Sequence, residues 1–235
     1  YTSGWSWPTA CLAGLAVALL VAIYQGWLTA VLGVPSFVVT LGGLMSFRGA
    51  AFLVADGKTQ PVNDEFFQRL GGGYDGGIGV TASWAIAGLV AVVLFARMLQ
   101  KRRARTRHEM PNEPLWIELL LTAVPAAVVL LFAAVMNHYK IDSKDAPQGI
   151  PIPVLIWAVV AIVLSFIVHR TRFGRYVFAM GGNPDAAALV GIPVKRVTLM
   201  LFALLAVLVT IAAIVSIARL NAGTNSLGTG MELYV

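Results

Sequence analysis

The chain has 235 residues, of which 58% are hydrophobic and 12% charged, with a formal net charge of +6. Soluble domains average about 25% charged residues, so this balance excludes an ordinary soluble core and points to a chain solvated by lipid. A single cysteine, Cys11, lies inside an apolar run and excludes a disulfide framework or a Cys-based metal site.

Six apolar segments follow in order: Pro8–Leu32, Phe37–Ala55, Val80–Met98, Leu115–Met136, Ile152–Val168 and Val197–Ala218. At about 1.5 Å per residue, most reach across a hydrocarbon layer of about 30 Å. The fifth is the shortest, and the second is interrupted by Arg48. The fold class expected is all-α, a polytopic transmembrane helical bundle forming one membrane domain over residues 1–235. The start at Tyr1 rather than Met suggests a piece of a longer chain.

In the first segment Gly14, Ala18, Ala22 and Gly26 recur every four residues, a row that lets helix backbones approach closely in lipid. Gly42, Ser46 and Ala50 repeat the spacing in the second, beside polar Thr40 and Arg48, where the row is also suited to line a pathway. Pro35 and the Pro151/Pro153 pair start the second and fifth segments. Between the second and third segments a short helix is expected over Val62–Leu70, capped by Asn63 or Asp64, followed by a glycine-rich loop, Gly71–Gly77.

Eleven of the 17 Lys and Arg fall in two stretches: Arg97, Lys101, Arg102, Arg103, Arg105 and Arg107, then Arg170, Arg172, Arg175, Lys195 and Arg196. The intervening loops, 56–79 and 137–149, carry Asp and Glu against their few cations. This alternation is the positive-inside pattern and assigns loops 97–114 and 169–196 to the cytoplasmic side. The clusters are topology signals first, and nucleic acid is not an expected partner. Anionic lipid heads are an alternative ligand for 101–107.

The stretch between the fifth and sixth segments is the polar exception. Gly181 and Gly182 are expected to break any preceding helix. Asn183 is a good N-cap, Pro184 suits the first helical turn, and Asp185 favours the positive end of the dipole. Ala186, Ala187, Ala188, Leu189 and Val190 carry the helix on. Gly191 stands where a left-handed cap belongs, and Pro193 prevents continuation. A helix over Pro184–Val190 is too short to hold alone in water. It either docks into a partner's groove, with the alanines as a smooth face and Leu189 and Val190 as an apolar tip, or lies passively in the lipid interface.

Two other function classes are weighed. An intramembrane enzyme needs a nucleophile with its base or a metal site at bilayer depth, and His108, His138 and His169 all lie in loops or at segment edges. An ion-coupled secondary transporter typically buries acids mid-membrane. All eleven acids here lie in loops or near segment ends, Glu118 coming closest to an exception.

The segment GRYVFAMGGNPDAAALVGIPVKR (174–196) resembles the cytoplasmic coupling-helix region of ribose/xylose-type ABC sugar transporter permeases, membrane subunits of bacterial sugar importers. Gly174, Arg175, Tyr176, Ala179, Gly181, Gly182, Asn183, Ala186, Ala187, Gly191 and Ile192 fit the family pattern. So do Pro35, Phe37, Thr40, Leu41, Gly42, Arg48 and Gly49 in 34–49, and Gly228, Gly230, Glu232 and Leu233 near the end. The inserted third and fourth segments are similar to the xylose-type branch, which points to a pentose, xylose first.

The resemblance implies a bacterial inner-membrane location and an importer assembled from several partners. These are an ATPase subunit carrying ATP and Mg, a periplasmic sugar-binding protein and a second permease chain, likewise embedded in the lipid bilayer. It implies that the chain itself is no enzyme and holds no cofactor or metal. Coupling to the ATPase would run through Gly181 to Gly191. Thr40, Ser46, Arg48, Ser165, Thr210, Ser216 and Asn221 are candidates for the substrate pathway, being polar groups on or beside spans, with Thr40, Ser46, Arg48 and Asn221 put first. The resemblance also implies that the chain is a fragment of a longer permease.

Overall fold

The computed structural model describes residues 5–73, 76–108, 114–139 and 147–230. Parts of the loops around Tyr74, Glu109–Glu113 and Lys140–Asp145, and the Glu232-Leu233 pair, lie outside the described residues. Nine α-helices and one two-stranded pairing are present among those described. Six helices are long and apolar enough to cross a membrane: α1 (Trp7–Ala30), α2 (Ser36–Val54), α4 (Val80–Arg107), α5 (Leu115–His138), α6 (Ile152–Arg170) and α9 (Val194–Leu220). They coincide with the six apolar segments. Three short helices complete the set: α3 (Glu65–Arg69), α7 (Arg172–Gly182) and α8 (Pro184–Leu189).

Spans dominate because a peptide group in hydrocarbon has no water to bond, and a helix satisfies all its interior groups within one segment. The chain divides into two compact units, residues 1–71 with 156–235, and residues 72–155.

In the first unit α1 packs along α9, with α2 beside α1. The small-residue row makes the approach possible. Ala22 and Gly26 are buried, and a Cβ at Gly26 would stand 3.1 Å from the Phe202 Cβ. Gly14 and Ala18, on the same row, instead line a groove of about 400 Å³. The second row behaves differently: Gly42, Ser46 and Ala50 are all exposed. α3 closes over one end of α1 and α9. Asp64 caps it, accepting from the Phe67 N–H at 2.9 Å, and Trp7 stacks on Phe66 at 5.2 Å. Phe67, Val62 and Ala218 form the small core beneath.

Two short strands, β1 (Gln60–Pro61) and β2 (Ala222–Gly223), pair antiparallel beside it, with Gln60 opposite Gly223. This pairing was not expected from sequence. Asn221 produces it by adopting a left-handed conformation (φ +54°) at the end of α9, which turns the chain back toward residue 60. Its carbonyl accepts from the Val62 N–H at 2.9 Å.

In the second unit α4 and α5 form an antiparallel hairpin around Ala87, Ala133 and Ile150. The loop before α6 is tied to the start of α4 through Ser83, which has no solvent exposure. Its Oγ donates to the Gly79 carbonyl at 2.7 Å and accepts from the Ile150 N–H at 2.8 Å. Gly149 (φ +76°) passes so near Ser83 and Gly79 that a side chain there would collide.

Two boundaries correct the sequence reading. The basic stretch 97–107 is not loop but the last turns of α4. Lys and Arg are good helix formers, and cations at a helix C-terminus interact favourably with its dipole. The outer helix is shorter than Val62–Leu70, because Val62 and Pro61 belong to the strand pairing and its hydrogen bonds.

Replacing Ser83 by Ala leaves the buried Ile150 N–H without its acceptor. Unfolding titration of the full-length protein in mixed micelles should show a loss of about 1–3 kcal/mol. Thr198→Ala, which removes only a bond to its own helix backbone, should cost less.

Candidate functional site: the polar segment between two spans

Residues 170–196 fold into two helices rather than one. After α6, Thr171 breaks the run with an extended backbone. Its Oγ1 donates to the Ile167 carbonyl at 2.6 Å and accepts from the Gly174 N–H at 3.3 Å, so one side chain serves both helix ends. Gly174 is buried because α7 folds back onto the end of α6. A Cβ there would strike the Val168 carbonyl.

α7 was missed from sequence, yet its signal was present. Phe173, Tyr176, Val177 and Met180 recur at helical spacing and are half-buried, while Arg172 and Arg175 stand on the exposed side. That amphipathic face carries the helix through Gly181 and Gly182, where a break was expected. The break falls one residue later, at Asn183. A residue before proline is pushed out of the α region, and Asn183 is extended with φ −159° and ψ 109°.

Asn183 then starts α8. Its Oδ1 accepts from the Asp185 and Ala186 N–H groups, both at 3.0 Å, while its own N–H donates to the Ala179 carbonyl of α7 at 3.4 Å. Pro184 occupies the first turn and Asp185 follows it. At the far end the Val190 N–H bonds the Ala186 carbonyl, the Ile192 N–H bonds the Ala187 carbonyl, and Gly191 takes φ +86°. Three residues after Gly191, α9 begins at Val194.

The helix therefore ends at Leu189 rather than Val190, which is its C-cap. The alanines do not form one common face either. Ala187 is 4% exposed and turned against its own chain, whereas Ala186 and Ala188 are exposed. Leu189 and Val190 are 89% and 78% exposed. A helix of under two turns thus presents an apolar tip, flanked by Arg170, Arg172, Arg175, Lys195 and Arg196 in the adjoining helices.

The four leading pathway candidates do not converge. Thr40 and Ser46 are exposed and donate to carbonyls of their own helix. Arg48 donates through Nη2 to Thr229 Oγ1 at 2.6 Å. Asn221 shapes the turn after α9. None of these four lines the groove between α1 and α9, but Thr210, also a candidate, does, together with Gln60. Thr210 itself donates to the Ala206 carbonyl. Among the described residues no cluster of His, Cys, Asp and Glu is arranged to hold a metal.

A family model described as branched-chain amino acid transport system / permease component matches residues 1–235. The chain is 36% identical over 230 residues to the xylose transport system permease protein XylH of Haemophilus influenzae, covering 98% of this chain and 58% of that protein. Against XylH of Escherichia coli K12 the identity is 32% over 232 residues, covering 98% and 56%. The ribose import permease protein RbsC of Escherichia coli K12 is 39% identical over 87 residues, 37% of this chain and 27% of that protein. The chain spans somewhat over half the length of the xylose permeases it matches. No solved structure matches it.

Asn183→Ala should remove a cap of about 1 kcal/mol. Hydrogen exchange at the Asp185 and Ala186 amides should accelerate, while the amides in the middle of α9 keep their protection.

Proposed function

We propose a role in sugar import from one premise: the chain belongs to the branched-chain amino acid transport system / permease component family, matched along its whole length. The protein of which it forms part is the membrane-spanning permease of an ATP-driven importer in a bacterial inner membrane. The sugar is a monosaccharide, with a pentose such as xylose first. The support for that choice lies in the extent of the match. Likeness to the xylose permeases covers 98% of the chain, and likeness to the ribose permease only 37%.

The observation that carries the coupling role is the double-capped α8 with its exposed Leu189-Val190 tip. A short helix that transmits motion must hold its shape, and Asn183 at one end and Gly191 at the other fix it. The apolar tip suits a groove on a partner, the helix-in-groove mode. In this reading the partner is the ATPase subunit, which holds ATP and Mg and supplies the hydrolysis. Closure of two ATPase subunits moves α8 in each of two permease chains and shifts the path between inward- and outward-facing states. Such coupling requires differential contacts in the two states.

A periplasmic binding protein delivers the sugar to the face bearing α3 and the strand pairing. The basic ends of α4 and the 169–196 segment face the cytoplasm, by the charge asymmetry. Arg48 is the strongest pathway candidate, because an intramembrane charge normally faces a bundle interior or a cavity and it already holds a hydroxyl, that of Thr229. Thr40 and Ser46 are weaker, as their hydroxyls bond carbonyls of their own helix, and Asn221 is weaker because it forms the turn at the end of α9. The groove between α1 and α9 is mainly apolar and ill suited to a polyhydroxylated ligand.

Co-purification tests the coupling. In the full-length protein expressed with its ATPase subunit, Leu189→Asp with Val190→Asp should lose the ATPase at unchanged membrane level. Retention of the ATPase by that variant overturns α8 as the docking element. Uptake that survives loss of the ATPase but collapses with an uncoupler overturns the importer reading and favours ion coupling.

A further inference from the structure

The α4–α5 hairpin holds an ionic cluster that lies outside the residues assigned above to coupling and to the pathway. Glu118, on the first turn of α5, is buried, its side chain 8% exposed. Its Oε2 accepts from Arg102 Nη1 at 3.0 Å. Its Oε1 stands 4.0 Å from Arg105 Nη1 and has no hydrogen-bond partner. A buried carboxylate oxygen left unbonded costs free energy, more than a neutral group does. Glu118 also lines a cavity of about 260 Å³ with Leu94, Arg97, Met98, Lys101, Leu121 and Thr122.

The composition of this cavity is divided. Arg97 and Lys101 lie one turn apart on α4, both exposed, and supply positive charge. Leu94, Met98 and Leu121 supply an apolar floor. Glu118 supplies an acceptor, and Pro125 withholds the N–H that the Leu121 carbonyl accepts in an unbroken helix. The depth is set by α4 itself. Its 28 residues extend about 42 Å, longer than the hydrocarbon layer by roughly 12 Å, and residues 80–96 carry no charge while all its cations follow. The cavity therefore opens where acyl chains give way to headgroups.

We propose that this cavity binds a phosphatidylethanolamine headgroup. The phosphate lies between Arg97 and Lys101, as charge-assisted bonds favour. The ammonium donates to Glu118, and the first methylenes rest on Leu94, Met98 and Leu121. A purely anionic ligand would meet the Glu118 carboxylate, and a choline headgroup has no N–H to give it. Phosphatidylethanolamine supplies both a phosphate and a donor. Basic pockets between membrane helices are known sites for lipid heads, and the buried acid is what narrows the class here.

The test uses the full-length protein, purified, delipidated and titrated with phosphatidylethanolamine, phosphatidylcholine or phosphatidylglycerol of identical acyl chains, with bound lipid read by native mass spectrometry. Wild type should retain phosphatidylethanolamine about tenfold better than phosphatidylcholine, the worth of one charged hydrogen bond. Arg97→Ala with Lys101→Ala should weaken retention of all three. Glu118→Gln should erase the discrimination between the ethanolamine and choline lipids. Equal retention of those two by wild type, or a preference for phosphatidylglycerol, overturns the proposal, as does unchanged retention by the Arg97/Lys101 variant. The lipid comparison on wild type and the Arg97/Lys101 variant decide the matter even where Glu118→Gln, which weakens the Arg102 pair, fails to fold.

Discussion

Hydrocarbon offers no partner to a peptide group, and in this chain that constraint selects the helix in every apolar run and then moves the burden of specification to the places where helices stop. Within the spans the sequence has little to decide. Apolar side chains meet apolar lipid at no gain, so close approach depends on small residues such as Ala22 and Gly26 against Phe202. At the ends, every unsatisfied N–H and carbonyl needs a named partner. Asp64, Thr171 and Asn183 provide some of them through their side chains, and the left-handed Asn221 does so through its carbonyl. Ser83 does the same work for a loop that folds against a span.

This division explains what was legible in the sequence. The six spans, the Asn183 cap, the Pro184 start and the Gly191 turn each rest on local chemistry, so residue types alone reveal them. The β1·β2 pairing joins residues 60 and 223, and nothing local to either announces the other. α7 was legible in principle through Phe173, Tyr176, Val177 and Met180, but the Gly181-Gly182 pair draws attention to a break that the following proline in fact sets. The inward turn of Ala187 could not be read, because Ala186, Ala187 and Ala188 are chemically alike and only tertiary packing separates them. The pathway residues were least legible. A polar side chain in a span looks the same whether it bonds its own backbone, as Thr40 and Ser46 do, or reaches a distant hydroxyl, as Arg48 does.

The two basic regions also divide by form. In 97–107 the cations extend a span, and two of them, Arg102 and Arg105, pair with one buried acid, Glu118. In 170–196 they flank a capped helix and leave its tip apolar. Similar charge, read from sequence as one topology signal, is built into two different surfaces. One is a charged cavity with an apolar floor, and the other an apolar tip set between cations.

Asn183 belongs to two helices at once, closing α7 with its N–H and opening α8 with its side chain. Since both neighbours are regular, the joint between them has few soft torsions, chiefly the φ and ψ of this one residue. Pro184 keeps the next φ nearly fixed. A load applied at the tip of α8 therefore meets a linkage of low compliance. Its displacement would be shared by few backbone torsions, those of Asn183 toward α7 and those of the Gly191–Pro193 turn toward α9.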